Sequence, residues 1–160
     1  MRMSKTSQGE HDPTRRQALA AGAGLLSVLL VRPARAEPAD MEAAVRAFAG
    51  ETAIRPGKVR LEVPPLVENG NSVPVTASVD SPMTAAAFVR RVALFNERNP
   101  QPNVAVFHLG PRCGRATVST RIRLATTQKL TAVAELSDGS FWSDSAEVIV
   151  TLAACTEELG

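Results

Sequence analysis

From residue 58 onward the chain alternates apolar and polar positions. Residues 58–63 set Val59, Leu61 and Val63 against Lys58, Arg60 and Glu62, and Pro64 and Pro65 close the run. That period of two predicts a half-buried strand. The same alternation returns in 73–79 (Val73, Val75, Ala77, Val79), after Asn69, Gly70 and Asn71 and before Asp80, Ser81 and Pro82. In 88–96 it places Val92 and Leu94 opposite Arg91, Ala93 and Phe95. Residues 104–109, 117–124 and 129–136 continue the series. Ser137, Asp138, Gly139 and Ser140 then predict a tight turn into a last strand over about 141–152, with a bulge expected near Asp144. Ahead of these strands, Met41, Ala44, Val45 and Phe48 recur at helical spacing and predict an amphipathic helix over 40–48, packed on the body or on a partner and ended by Gly50. Seven strands with no helix between them predict an all-β, immunoglobulin-like antiparallel sandwich.

The first 36 residues follow a different pattern. Arg15 and Arg16 precede an uncharged run from Gln17 to Val31, and Ala34, Arg35 and Ala36 offer a small-x-small cleavage site. A basic region, a short Gly- and Ala-rich apolar stretch and that site read as an export signal cut after Ala36, too short for a stable membrane anchor. The twin arginines point to the Tat route and a periplasmic destination, although the position after Gln17 holds only Ala18. The expected divisions are thus 1–36 signal peptide, 37–57 helix and linker, 58–152 sandwich and 153–160 C-terminal arm.

Cleavage changes the charge. The whole chain carries 18 Lys and Arg against 16 Asp and Glu. Loss of six basic and two acidic residues leaves 12 against 14, a net charge of −2. With aromatics at 4%, no basic patch for nucleic acid remains. His108 becomes the only imidazole, and neither it, Met83 nor the two distant thiols fall at metal-ligand spacing, so no metal or cofactor is expected. Arg121 and Arg123 alternate with Ile122 and Leu124 and predict a solvated strand face.

Chemistry is left to the cysteines. An exported chain with two of them admits a Cys113–Cys155 disulfide, which would make it a binding or structural module. Cys155 follows the last strand on a tail of Ala153, Ala154, Thr156, Glu157 and Glu158, where a thiol can travel into a partner's active site. Cys113 sits in a loop between Arg112 and Arg115, whose charges favour a thiolate, and is the secondary reactive thiol. A thiol oxidoreductase fits poorly, since there is no Cys-x-x-Cys pair.

Further residues favour the travelling thiol. Glu68 to Val75 (ENGNSVPV), Asp80 to Thr84 (DSPMT), Asn99 to Pro102 (NPQP) with Val104 and Phe107 to Gly110 (FHLG), Ser119 to Leu124 (STRIRL) and the Asp138, Gly139, Ser140 turn resemble, in order, the SoxY family, the sulfur-carrying subunit of SoxYZ. The resemblance implies a Tat-exported immunoglobulin-like domain that is a carrier and not an enzyme. It implies a sulfur adduct held covalently on Cys155, a SoxZ-like partner in a heterodimer, and service to periplasmic sulfur-oxidising enzymes of thiosulfate oxidation. The family's arm ends in GGCGG. Here Ala153, Ala154, Cys155, Thr156 and Glu157 resemble instead a branch whose arm reads AACIE, with Thr156 for Ile, which leaves the carried group open.

Overall fold

The computed structural model describes residues 38–152. Helix α1 (Pro38–Ala49) opens on a proline, whose fixed φ suits a first helical turn and whose missing N–H would have no partner there. It carries a Glu42–Arg46 pair four residues apart and stops at Gly50. Gly50 adopts φ 64° and donates its N–H to the Arg46 carbonyl at 2.8 Å, a left-handed ending that glycine accepts without steric cost.

Nine strands follow: β1 (Ile54–Pro56), β2 (Val59–Glu62), β3 (Leu66–Asn69), β4 (Val73–Val79), β5 (Val89–Asn96), β6 (Asn103–His108), β7 (Ala116–Ile122), β8 (Gln128–Leu136) and β9 (Phe141–Leu152). β2, β4 and β7 form one antiparallel sheet. The other runs β1-β9-β8-β5-β6, with β3 also on β9. β1 and β3 lie parallel to the start and the end of β9, and the other pairings are antiparallel. The seven expected strands are all present; β1 and β3 are additions.

Between the sheets, the inward faces of β2 and β4 (Val59, Leu61, Val73, Val75, Ala77, Val79) meet Val92, Leu94, Leu130, Ala132, Ala134 and Val148. β5 is buried on both faces because α1 covers its outer side. Ala93, Phe95, Val133 and Phe141 pack there against Met41, Phe48 and Ala49, so the helix spends its apolar stripe on its own body. The Phe48 ring stands edge-on to Phe95 and Phe141, both at 5.9 Å, and the Arg91 guanidinium lies 4.5 Å from its centre. Arg91 in turn pairs with the nearly buried Glu135 of β8.

The β8–β9 register runs without a shift from Gln128↔Val148 to Glu135↔Phe141, so the bulge expected near Asp144 is absent there. Asp144 reads as an irregularity because a carboxylate stands at an inward position. Its Oδ2 accepts the Leu61 N–H from the opposite sheet at 2.8 Å, which gives a polar group between the sheets a partner. The register shifts lie in β5 instead, at Leu94/Phe95 against β6 and at Val89/Arg91 against β8. The 137–140 turn forms as expected: Gly139 takes φ 80°, and Asp138 Oδ1 accepts the N–H and hydroxyl of Ser140 at 2.9 and 2.7 Å.

Candidate functional site

The arm residues Ala153, Ala154, Cys155, Thr156, Glu157 and Glu158 lie outside the described residues, as do Arg15 and Arg16. Their point of attachment is described in detail. Both flanks of β9 are tied down to its end. On one side Gly70 N–H donates to the Leu152 carbonyl at 2.9 Å and the Thr151 hydroxyl to the Glu68 carbonyl at 3.2 Å. On the other, Val150 N–H donates to Thr127 Oγ1 at 3.0 Å. The Glu68 to Val75 motif supplies this anchorage: β3 holds β9, Asn69 Oδ1 accepts the Asn71 N–H at 2.9 Å to shape the turn, and β4 leads away into the core. The Gly70 carbonyl also accepts the Leu124 N–H at 2.8 Å, which joins the base of the arm to the end of the β7 segment.

Around that base lie three of the exposed large apolar side chains: Leu66, Ile149 and Leu152. Leu66 and Ile149 are register partners and share a face.

Cys113 sits at the other end of β7. It closes a single 3-10 turn (Pro111–Cys113), is exposed with a free thiol, and its Sγ accepts the Gly110 N–H at 3.4 Å. β7 starts at Ala116 opposite Val79 and ends at Ile122 opposite Val73, so the length of the strand separates Cys113 from the Gly70–Leu152 contact. Seven residues of strand span about 20 Å. Arg112 and Arg115 are exposed beside the thiol. Arg121 and Arg123 are exposed while Ile122 and Leu124 are buried, as the alternation predicts. His108 ends β6, exposed and level with Arg91. Met83 is buried, with φ 49° and its sulfur accepting the Val89 N–H at 3.5 Å.

Alternation did not single out an amide network at the arm's end of the sandwich. Asn99 donates to the Arg123 carbonyl at 2.8 Å and accepts from Ala125 N–H at 3.0 Å and Gln128 Nε2 at 2.8 Å. Gln128 Oε1 accepts the Arg98 N–H at 2.8 Å. A buried Gln at the first position of an apolar strand was the available signal. Among the described residues no group of three or more His, Cys, Asp and Glu is placed to hold a metal ion, and no helix is long and apolar enough to cross a membrane.

Residues 45–155 match the profile of the sulfur oxidation protein SoxY, a stretch that covers the sandwich and ends on Cys155. The chain belongs to the SoxY family. A solved family member, the sulfur carrier protein SoxY from Chlorobium limicola f thiosulfatophilum, is 30% identical over 71% of this chain and 98% of its own, with a TM-score of 0.60. The superoxide reductase (neelaredoxin) from Ignicoccus hospitalis matches at 20% identity and TM-score 0.52, over 73% of this chain and 95% of its own. The superoxide reductase from Nanoarchaeum equitans matches at 14% and 0.51, over 60% and 100%. These two share the fold alone. No curated protein matches the sequence. The chain therefore has the fold of a SoxY sulfur carrier.

Proposed function

We propose that this protein is a periplasmic, Tat-exported carrier that holds a sulfur-containing group covalently on Cys155 and presents it to sulfur-oxidising enzymes, in complex with a SoxZ-like subunit. One observation carries the reading: the family match runs through β9 and ends on Cys155, three residues past a strand that is pinned on both flanks. A thiol three residues beyond a firmly held strand is what delivery to a partner requires. The protein acts as a carrier and not as a catalyst.

Reach supports this over a Cys113–Cys155 bridge. Three residues extend at most about 11 Å, and a disulfide adds roughly 4.4–6.8 Å between Cα atoms. The length of β7, about 20 Å, and the roughly 10 Å between sheets exceed that sum. A bridge within one chain would need the end of β9 to peel away.

The arm is of the AACIE type, with Thr156 for Ile. Ala153 and Ala154 are stiffer than the glycines of a GGCGG arm. Glu157 and Glu158 disfavour the neighbouring thiolate and repel an anionic sulfur compound, so the partner's active site supplies positive charge. Intact-mass measurement on non-reduced protein tests the reading. Sulfur-type masses added to one thiol and lost in Cys155→Ser are expected; a loss of two hydrogens that needs both cysteines would overturn it.

A further inference from the structure

The charge count of the mature chain hides an asymmetry. From Arg98 to Ala134 there is no acidic residue, and the same stretch holds Arg98, Arg112, Arg115, Arg121, Arg123 and Lys129. The fold gathers four of these along one strand. Arg112 and Arg115 precede β7, Arg121 lies in it and Arg123 follows its last residue; all four are exposed, and none enters an ion pair among the described residues. The acids nearest in the strand register are Glu62, which pairs with Arg60 at 2.9 Å, and Asp80, next to the register partner of Ala116.

Among the described residues β7 is also an edge, paired with β4 alone. The Leu124 N–H points to Gly70 on the β4 side, and the Arg123 carbonyl points the other way, to Asn99 Nδ2 at 2.8 Å. In the alternation of an antiparallel strand, the backbone N–H and C=O groups of Thr117, Ser119 and Arg121 face outward as that carbonyl does. The side chains between the arginines offer no apolar anchor: Thr117 and Ser119 bond to Ser78 and Thr76 at 3.3 and 2.9 Å. Recognition here rests on backbone groups and positive charge. Past Arg121 the edge meets an open cleft of about 390 Å³, lined by Arg123, Asn99, Gln101 and Asn103 among others.

We propose that the edge of β7 docks an extended acidic segment of a partner protein, added as a further strand with carboxylates on alternate residues. Such a strand repeats every two residues at about 7 Å, the spacing that separates Arg121 from Arg123, so successive carboxylates meet successive guanidiniums. Each guanidinium can hold a carboxylate by two parallel N–H groups. A second copy would bring its own arginines to the edge, and like charges repel it. An anionic membrane would meet the charges but not the outward backbone groups. Nucleic acid would find no exposed aromatic side chain among the described residues on which to stack a base.

The Arg123 end lies at the base of the arm, since Leu124 N–H donates to the Gly70 carbonyl and Gly70 N–H to the Leu152 carbonyl. A partner seated on β7 thus stands beside the point where the arm is attached. That this partner is an enzyme served by Cys155 rests on the carrier reading; the docking itself needs no sulfur chemistry.

The test is backbone NMR of the protein recovered after export, titrated with a synthetic octapeptide that alternates Glu and Thr. Saturable shifts of the Thr117, Ser119 and Arg121 N–H signals are expected, with slowed hydrogen exchange at the same groups. Arg121→Glu/Arg123→Glu should weaken binding at least tenfold and bind instead the octapeptide that alternates Lys and Thr, and Arg121→Gln/Arg123→Gln should bind neither. Equal affinity for a peptide of the same composition with its glutamates consecutive would overturn the added strand, and shifts confined to other strands would overturn the site. No response to the peptide, with vesicles containing phosphatidylglycerol bound by the native chain and not by the variants, would overturn it in favour of a membrane surface. Mass adducts on Cys155, measured without the peptide, separate failure of the docking from failure of the carrier reading.

Discussion

Cys113 and Cys155 carry different expectations. Cys155 lies three residues beyond the end of β9 in the sequence, so Cys155→Ser should change stability within about ±0.5 kcal/mol while it abolishes acceptance of a sulfur group in a mass or turnover assay. Cys113 is exposed on a turn fixed by β6 and β7, and Cys113→Ser should leave both stability and loading intact. Equal destabilisation of both variants by the roughly 2–5 kcal/mol of a lost native bridge would contradict this. Asp138 supplies a pH signature. The Ser140 hydroxyl, then the Ser140 N–H, hold its carboxyl below the ordinary value of 3.8; burial opposes them, and the charge of Lys58 adds a weaker pull in the same direction as Ser140. A lowered pKa means stability that is present above about pH 4 and lost as pH falls through the folded value. Asp138→Asn should therefore flatten the acid side of the unfolding profile below pH 4 and leave its slope at neutral pH unchanged. At this scale the sequence exposed the turn and the solvated faces of Arg121 and Arg123. It did not expose the part played by Asp144, because a polar residue at an inward position takes its meaning from the atom opposite it, and that atom lies many residues away in the chain.

Elements were legible where both faces of a strand differ. β4, with Val73, Val75, Ala77 and Val79 buried in alternation, shows its period in the sequence. β1 and β3 do not: three and four residues with exposure on nearly every position give no alternation to read, and each is a strand only because β9 is long enough to take a parallel neighbour at either end. Family resemblance could identify the Glu68 to Val75 motif but not its task, which is to fasten β9 below the arm. Helix α1 and β5 depend on each other. Phe95 is 1% exposed beneath Phe48, and Phe95→Ala should cost about 3–5 kcal/mol in denaturant unfolding. Asp144→Ala should cost about 1–3 kcal/mol, since it leaves the Leu61 N–H without its acceptor between the sheets. An unchanged midpoint for Asp144→Ala would mean that water reaches Leu61.

For the molecule as a whole, the expected export fixes the environment and the net charge of −2 in which any partner meets it. Replacement of Arg15 and Arg16 by Lys should stop export and leave uncleaved precursor in the cytoplasm, read by fractionation and by the mass of the N-terminus. Association follows from what the body leaves uncovered. The apolar stripe of α1 is already packed on β5, β8 and β9, so it is not the surface that awaits a subunit. Leu66, at 56% exposure, and its register partner Ile149, at 53%, are a different matter: both lie at the base of the arm, on strands otherwise tied into the sheet. Adjacent exposed aliphatic side chains at a functional end are what a second immunoglobulin-like subunit would cover. The chain expressed alone should self-associate, and with the SoxZ-like partner it should form a defined heterodimer by size-exclusion chromatography with light scattering. Leu66→Asp/Ile149→Asp should weaken that heterodimer at least tenfold while the isolated chain unfolds within about 0.5 kcal/mol of the native one, as surface substitutions do. A double variant that binds the partner as before would place the interface elsewhere, with the edge of β6 that meets no further strand among the described residues as the next surface to examine.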